Sequence, residues 1–180
     1  MFIEALVSRP AVAAPSIAAV TAPAEDKLVS LASQYLAFQL GGEEYGMDTR
    51  YVGEIRGYTE PTRIANAPAF LKGVISLRGT IIPIIDLRIK LGTLEPSYVS
   101  TTVTIVVNLD DRVVGVVVDA VSDVLQLGAE TIKPPPKFAG AALDLGHVLG
   151  LATLGSDDDR RMLMLVDIQR WLADDTFWRT

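Results

Sequence analysis

The chain carries 22 acidic and 16 basic residues among 180, a formal net charge of -6, and no cysteine. The acidic balance excludes non-specific nucleic-acid binding, which needs a cationic footprint, and supplies no attraction to anionic lipid. Without cysteine there is neither a disulfide framework nor thiol chemistry, and no apolar run reaches the length of a membrane span.

Residues 1–32 are rich in Ala and Pro and read as a flexible extension; Phe2, Ile3, Leu6 and Val7 could form one apolar turn within it. Glu4 and the breaks at Pro10, Pro15 and Pro23 make this a poor signal peptide. Order is expected from about residue 33. Tyr35–Leu40 and Glu43–Asp48 read as a hairpin about Gly41-Gly42. Thr49 to Ile55 reads as a short helical face, Thr62–Ile64 as a brief strand, and Pro68–Lys72 as one helical turn closed by Gly73. Gly73 to Leu77 and Thr80 to Asp86 are two apolar strands folded about Arg78-Gly79, where glycine supplies the backbone angles of a tight corner. Pro83 cannot donate to a ladder, so the second strand should lie at a sheet edge, at a strand start or beside a bulge. Leu87–Leu91 is a short helix stopped by Gly92.

Thr101–Asn108 and Val113–Val118 are nearly continuous in apolar or β-branched residues, so both faces of each should be covered. Asp119–Asp123 reads as a connection and Val124–Leu127 as a further strand. Pro134–Pro136 is a rigid spacer. Gly146–Leu154 and Arg161–Val166 make a last hairpin. Asp167 caps a closing helix whose inner face is Ile168, Trp171 and Leu172. Many short strands, frequent Gly and Pro turns and brief helices predict an all-β architecture, a barrel or a sandwich. Two small barrels packed together bury more than two standing alone.

His147 is the single histidine; with no cysteine it can form neither a zinc cluster nor a Cys-His pair, and no Gly-x-Ser-x-Gly elbow accompanies it. Gly41-Gly42 lacks the pattern of a phosphate cradle, and Asp157–Asp159 lacks the spacing of a calcium loop. No cofactor is expected. What remains is surface: Glu54, Arg56, Arg63, Arg78, Asp86 and Arg88 flank apolar segments and together could rim an apolar patch, as at non-obligate interfaces. Arg78 leads this set, because it stands at a corner and its guanidinium can chelate a carboxylate or lie on an aromatic ring. Two other readings stay open on residues alone, a barrel that binds a small ligand and a hydrolase centred on His147.

Four stretches add a resemblance: Glu43-Glu44-Tyr45-Gly46-Met47-Asp48, Val52-Gly53-Glu54-Ile55-Arg56-Gly57-Tyr58, the segment from Gly73 to Lys90, and the segment from Arg112 to Val124. In this order and spacing they resemble the CheW family of chemotaxis adaptors and the related regulatory domain of the histidine kinase CheA, over about residues 33–176. The resemblance implies two packed SH3-like five-stranded β-barrels and no enzymatic activity. It implies an adaptor in the cytoplasm, at the inner face of the membrane through receptor arrays, that couples the cytoplasmic tips of chemoreceptors to the CheA regulatory domain; other CheW-like domains in array rings are further candidate partners. The family's functional Arg and Glu fall on Arg78 and Glu54, and Val52 falls at a receptor-facing contact position. The full candidate partner-binding set is Arg78, Glu54, Val52, Gly73, Arg56, Asp86 and Arg88. The chain departs from the family in its Ala/Pro extension and between Gly128 and Gly146. With no receiver domain following, a CheV-like arrangement is not expected.

Overall fold

The computed structural model describes residues 33–93, 95–136, 146–156 and 158–173. The first hairpin is formed by β1 (Ser33–Leu40) and β2 (Glu43–Asp48), antiparallel, with Phe38 opposite Tyr45. One turn of 3-10 helix (Thr49–Tyr51) leads into β3 (Val52–Gly57), where the sequence suggested a helical face; the helical stretch is shorter because Val52 onward pairs with β6 (Val103–Asn108). β4 (Leu71–Leu77) and β5 (Thr80–Asp86) make the second hairpin. Pro68 begins a turn rather than a helix: the Leu71 N–H donates to the Pro68 carbonyl, and β4 starts at once. A four-residue helix, α1 (Leu87–Lys90), follows β5.

β7 (Val113–Val118) returns beside β6, and Asp119 alone separates it from β8 (Ala120–Leu127). The segment read as a connection is therefore the first half of a strand, bound to β1 along its length. After the two-residue β9 (Ile132–Lys133), β10 (Val148–Leu154) and β11 (Arg161–Val166) form the last hairpin. The closing helix α2 (Ile168–Ala173) is capped as its sequence indicates, with the Arg170 N–H donating to the Asp167 carboxylate at 3.0 Å.

These strands build two sheets. One has six strands in the order β8-β1-β2-β11-β10-β9, the other five in the order β3-β6-β7-β5-β4. The expected five strands per unit hold for the second; the first gains the short β9. Two parallel pairings, β2 with β11 and β5 with β7, are contacts that hairpin signals do not announce. In the five-stranded sheet, Thr62 exchanges two backbone hydrogen bonds with Val74 of β4, both 2.9 Å. The chain leaving β3 thus joins the far end of the same sheet, and the brief strand expected at Thr62–Ile64 reduces to this single bridge. Pro83 lies inside a paired strand: β5 bonds β4 on one side throughout, whereas β7 joins on the other side only from Ile84. Proline is tolerated there because its position precedes the β7 ladder.

Alternation along the strands distributes side chains among three cores. Tyr35, Ala37, Leu163 and Leu165 fill the interior of the six-stranded sheet, and Ile82, Ile84, Val106 and Val117 that of the five-stranded one. The opposite faces of the same strands, through Leu36, Phe38, Ile85, Ile105, Val107, Val114, Val116 and Val118, meet between the sheets together with Ile168, Trp171 and Leu172. That is why β6 and β7 are apolar on both faces.

Candidate functional site

The β4–β5 hairpin has a two-residue loop in which Arg78 (φ 48°) and Gly79 (φ 85°) both take positive φ. This is the pattern of a type I′ turn, whose twist matches that of the flanking strands. Glycine suits the second position; Arg78 occupies the first against the preference of a residue with a Cβ. Its guanidinium projects outward with 80% of the side chain exposed, and its Nη2 donates to Glu54 Oε2 at 2.6 Å. Glu54 stands on β3 just past a register shift between Val52 and Glu54. Its other oxygen faces Arg56 Nη1 at 3.9 Å, so one carboxylate lies between two cations.

Beneath the pair lies an open depression of about 300 Å³ lined by Glu54, Leu77, Arg78, Thr80, Ile82, Val106 and Asn108. Ile81, 71% exposed, and Ile55, 44% exposed, alternate with Ile82 and Glu54 along β5 and β3 and so stand on the opposite faces of those strands, outside the depression. The arrangement is an apolar surface carrying a fixed, accessible guanidinium. Glu54 is the one carboxylate among the residues lining the depression, and that carboxylate is engaged by Arg78 and faces Arg56. His147 is elsewhere, stacked on Trp171 with ring centroids 4.7 Å apart. Among the described residues, side chains converge on both sheet interiors, Leu163 and Leu165 in one and Ile82 and Ile84 in the other. Among the described residues no group of three or more His, Cys, Asp or Glu could hold a metal ion.

The other sequence-derived positions divide. Val52 is half-buried and packs against the core between the sheets. Gly73 is buried, with φ 141°, and a Cβ there would lie 2.0 Å from the Thr62 carbonyl oxygen. Its place is one of close backbone approach at the bridge. Asp86 and Arg88 were expected among the rim charges and are instead interior, with side chains 0% and 3% exposed. Arg88 Nε and Nη2 donate to the two Asp86 oxygens at 3.0 and 2.8 Å, and Nη1 donates to Asp119 Oδ1 at 3.0 Å and to the Ser97 carbonyl at 2.7 Å. Burial opposes the charge on Arg88, but the hydrogen bonds and charge of Asp86, then of Asp119, outweigh it and hold the guanidinium above its ordinary pKa. Tyr98 covers the pair, its hydroxyl donating to Asp86 Oδ2 at 2.8 Å and its ring stacking on Tyr58 at 4.4 Å. Burial, then the Asp86 hydrogen bond, pushes the Tyr98 hydroxyl up. Sequence reading passed over Tyr98 and Asp119, which sit in loop or junction segments with no motif. The local signal it could have used is Asp86 as the cap of α1, accepting from the Arg88 N–H at 3.0 Å.

Comparison with known proteins places this geometry. The family model described as the CheW-like domain matches residues 34–176. The chain belongs to the CheW-like family. It is 52% identical over 146 residues to the chemotaxis protein CheW of Klebsiella aerogenes, covering 81% of this chain and 85% of that one. It is 36% identical over 141 residues to a probable chemotaxis protein CheW of Rhizobium etli, covering 78% and 88%. Its fold is similar to the crystal structure of the scaffolding protein TtCheW from Thermoanaerobacter tengcongensis, with a TM-score of 0.65, 31% sequence identity and coverage of 76% and 90%. CheW-like proteins of this kind are chemotaxis scaffolds, and in this member the exposed Arg78–Glu54 pair is the accessible charged feature of the surface just described.

Proposed function

We propose that this chain couples chemoreceptors to the histidine kinase CheA, holding both through non-catalytic interfaces in an array at the inner face of the membrane. The observation that carries the reading is Arg78, kept outward by a strained corner and aimed by Glu54 over an apolar surface. An exposed ion pair adds little to stability. A guanidinium held in one place, beside apolar surface that a partner can cover, is the composition of an interface hot spot. Glu54 and Arg56 then set the register of a charged partner group, while Leu77 and Val113 in the depression supply apolar contact. Val52 acts from beneath, through the packing that supports β3. Among the described residues no helix is long and apolar enough to cross a membrane, so membrane attachment in this reading is through receptors.

Arg78→Ala tested separately against a receptor cytoplasmic fragment and the CheA regulatory domain checks the proposal. At least one affinity is expected to fall by about tenfold or more, the scale of an interface hot spot. Two unchanged affinities, with array assembly and kinase control intact, would remove Arg78 from the site.

A further inference from the structure

The chain passes from the five-stranded sheet to the six-stranded sheet at Asp119, the one residue between β7 and β8. We infer that Asp119 is a latch that fixes the angle between the two sheets, acting through Arg88 on one side and the β1–β2 turn on the other. Its Oδ1 accepts from Arg88 Nη1 at 3.0 Å, and its Oδ2 accepts from the Gly41 N–H at 2.7 Å. The Asp119 N–H itself donates to the Gln39 carbonyl at 3.0 Å. Gly41 and Gln39 belong to the first hairpin, in the six-stranded sheet; Arg88 and Asp86 follow and end β5, in the other. One carboxylate therefore spans the junction with both oxygens occupied.

Geometry separates the two carboxylates that Arg88 binds. The bidentate pair with Asp86 is buried and covered by Tyr98, so it anchors the guanidinium within its own sheet. Asp119 is 37% exposed on its side chain, at the end of the network that can open. The apolar core between the sheets drives them together but is non-directional; Val, Ile and Leu side chains allow small rotations at little cost. Charge-assisted hydrogen bonds are directional, and a fork of donors held at one end specifies a single angle. Asp119 is thus a positioning residue: it keeps the surfaces of the two sheets in one relation. The inference does not depend on the identity of any partner.

The absence of cysteine makes a distance measurement direct. Spin labels at Ser76→Cys on β4 and Thr153→Cys on β10, both exposed, report the relation of the two sheets by pulsed electron–electron resonance. Asp119→Ala leaves Arg88 paired with Asp86, so it does not strand a buried charge. The distance distribution is expected to broaden about twofold, the sign of a released rigid-body angle. Asp111→Ala, which removes an exposed carboxylate outside the network, is expected to leave the width unchanged. An Asp119→Ala distribution as narrow as the parent's overturns the inference. Should Asp119→Ala fail to fold, Asp119→Asn keeps the shape and loses one acceptor: broadening in that variant supports the latch, and an unchanged width rejects it. Hydrogen exchange adds an independent readout, since Arg88→Lys loses the fork and should expose the Gly41 amide to exchange about tenfold faster.

Discussion

Arg78 combines two costs in one residue, a positive φ and an exposed charge. Glycine would relieve the first, so a residue chosen for the turn alone would not be arginine. This allows binding and stability to be separated. Arg78→Ala keeps the strained backbone and removes the guanidinium; Arg78→Gly removes both. Chemical denaturation is expected to find Arg78→Gly more stable than Arg78→Ala by about 1 kcal/mol, the cost of the left-handed region for a residue with a Cβ. Both variants should lose partner affinity alike. The exposure of Arg78 was legible in the sequence, because a long cation between two apolar strands has few places to go but outward. The roles of Asp86 and Arg88 were not: the same residue types beside the same apolar strand are buried, since their partners Ser97, Tyr98 and Asp119 come from later in the chain.

At the level of elements, the five-stranded sheet depends on one close approach. Gly73 meets the Thr62 backbone where the chain beyond β3 bridges β4. A Cβ cannot be accommodated by rotating a side chain, because the obstruction is a backbone carbonyl. Gly73→Ala is expected to destabilise by about 3 kcal/mol or more, at the severe end of single substitutions. Its urea midpoint should fall accordingly, and the Val74 amide should lose protection from exchange, since it bonds Thr62. Any loss of partner binding in that variant would follow from unfolding of the hairpin that carries Arg78. A Gly73→Ala protein with parent-like stability would contradict this packing. Hairpins were the most readable elements because their turns are written locally, in Gly41-Gly42, Arg78-Gly79 and the turn beyond Leu154. Val52–Gly57 was harder to assign: its two large apolar residues, Val52 and Ile55, stand three apart, a helical spacing, whereas pairing with β6 makes it a strand whose six positions alternate between half-buried and exposed.

For the whole molecule, all five tyrosines have hydroxyls pushed up from their ordinary pKa, in each case first by burial. For Tyr35 the shift is to about 12, with the Asp48 charge as the next cause. A pKa raised on folding means that the neutral hydroxyl is favoured by the native state. The corresponding stability is fully present below the unfolded value near 10 and is lost as the pH rises through the folded value. Ultraviolet titration of the native protein is therefore expected to show phenolate appearing later than in denaturant, with the melting temperature falling above about pH 10. Coincident native and denatured titration curves would contradict the burial described here.

The all-β class, both central hairpins, the capped closing helix and the exposed Arg78 were decided by the sequence itself, because turn chemistry, strand propensity and caps act between near neighbours. The four motifs also carried the family, which the comparisons then established. Tertiary structure alone decided which faces of β5, β6 and β7 look inward and which meet the other sheet, since a strand apolar on both sides does not encode its partner. It also decided that β2 pairs with β11 and β5 with β7, that Thr62 bridges Val74, and that Arg88 is buried against Asp86 and Asp119. Each of these is a contact between residues distant in the chain, and local propensity carries no term for it.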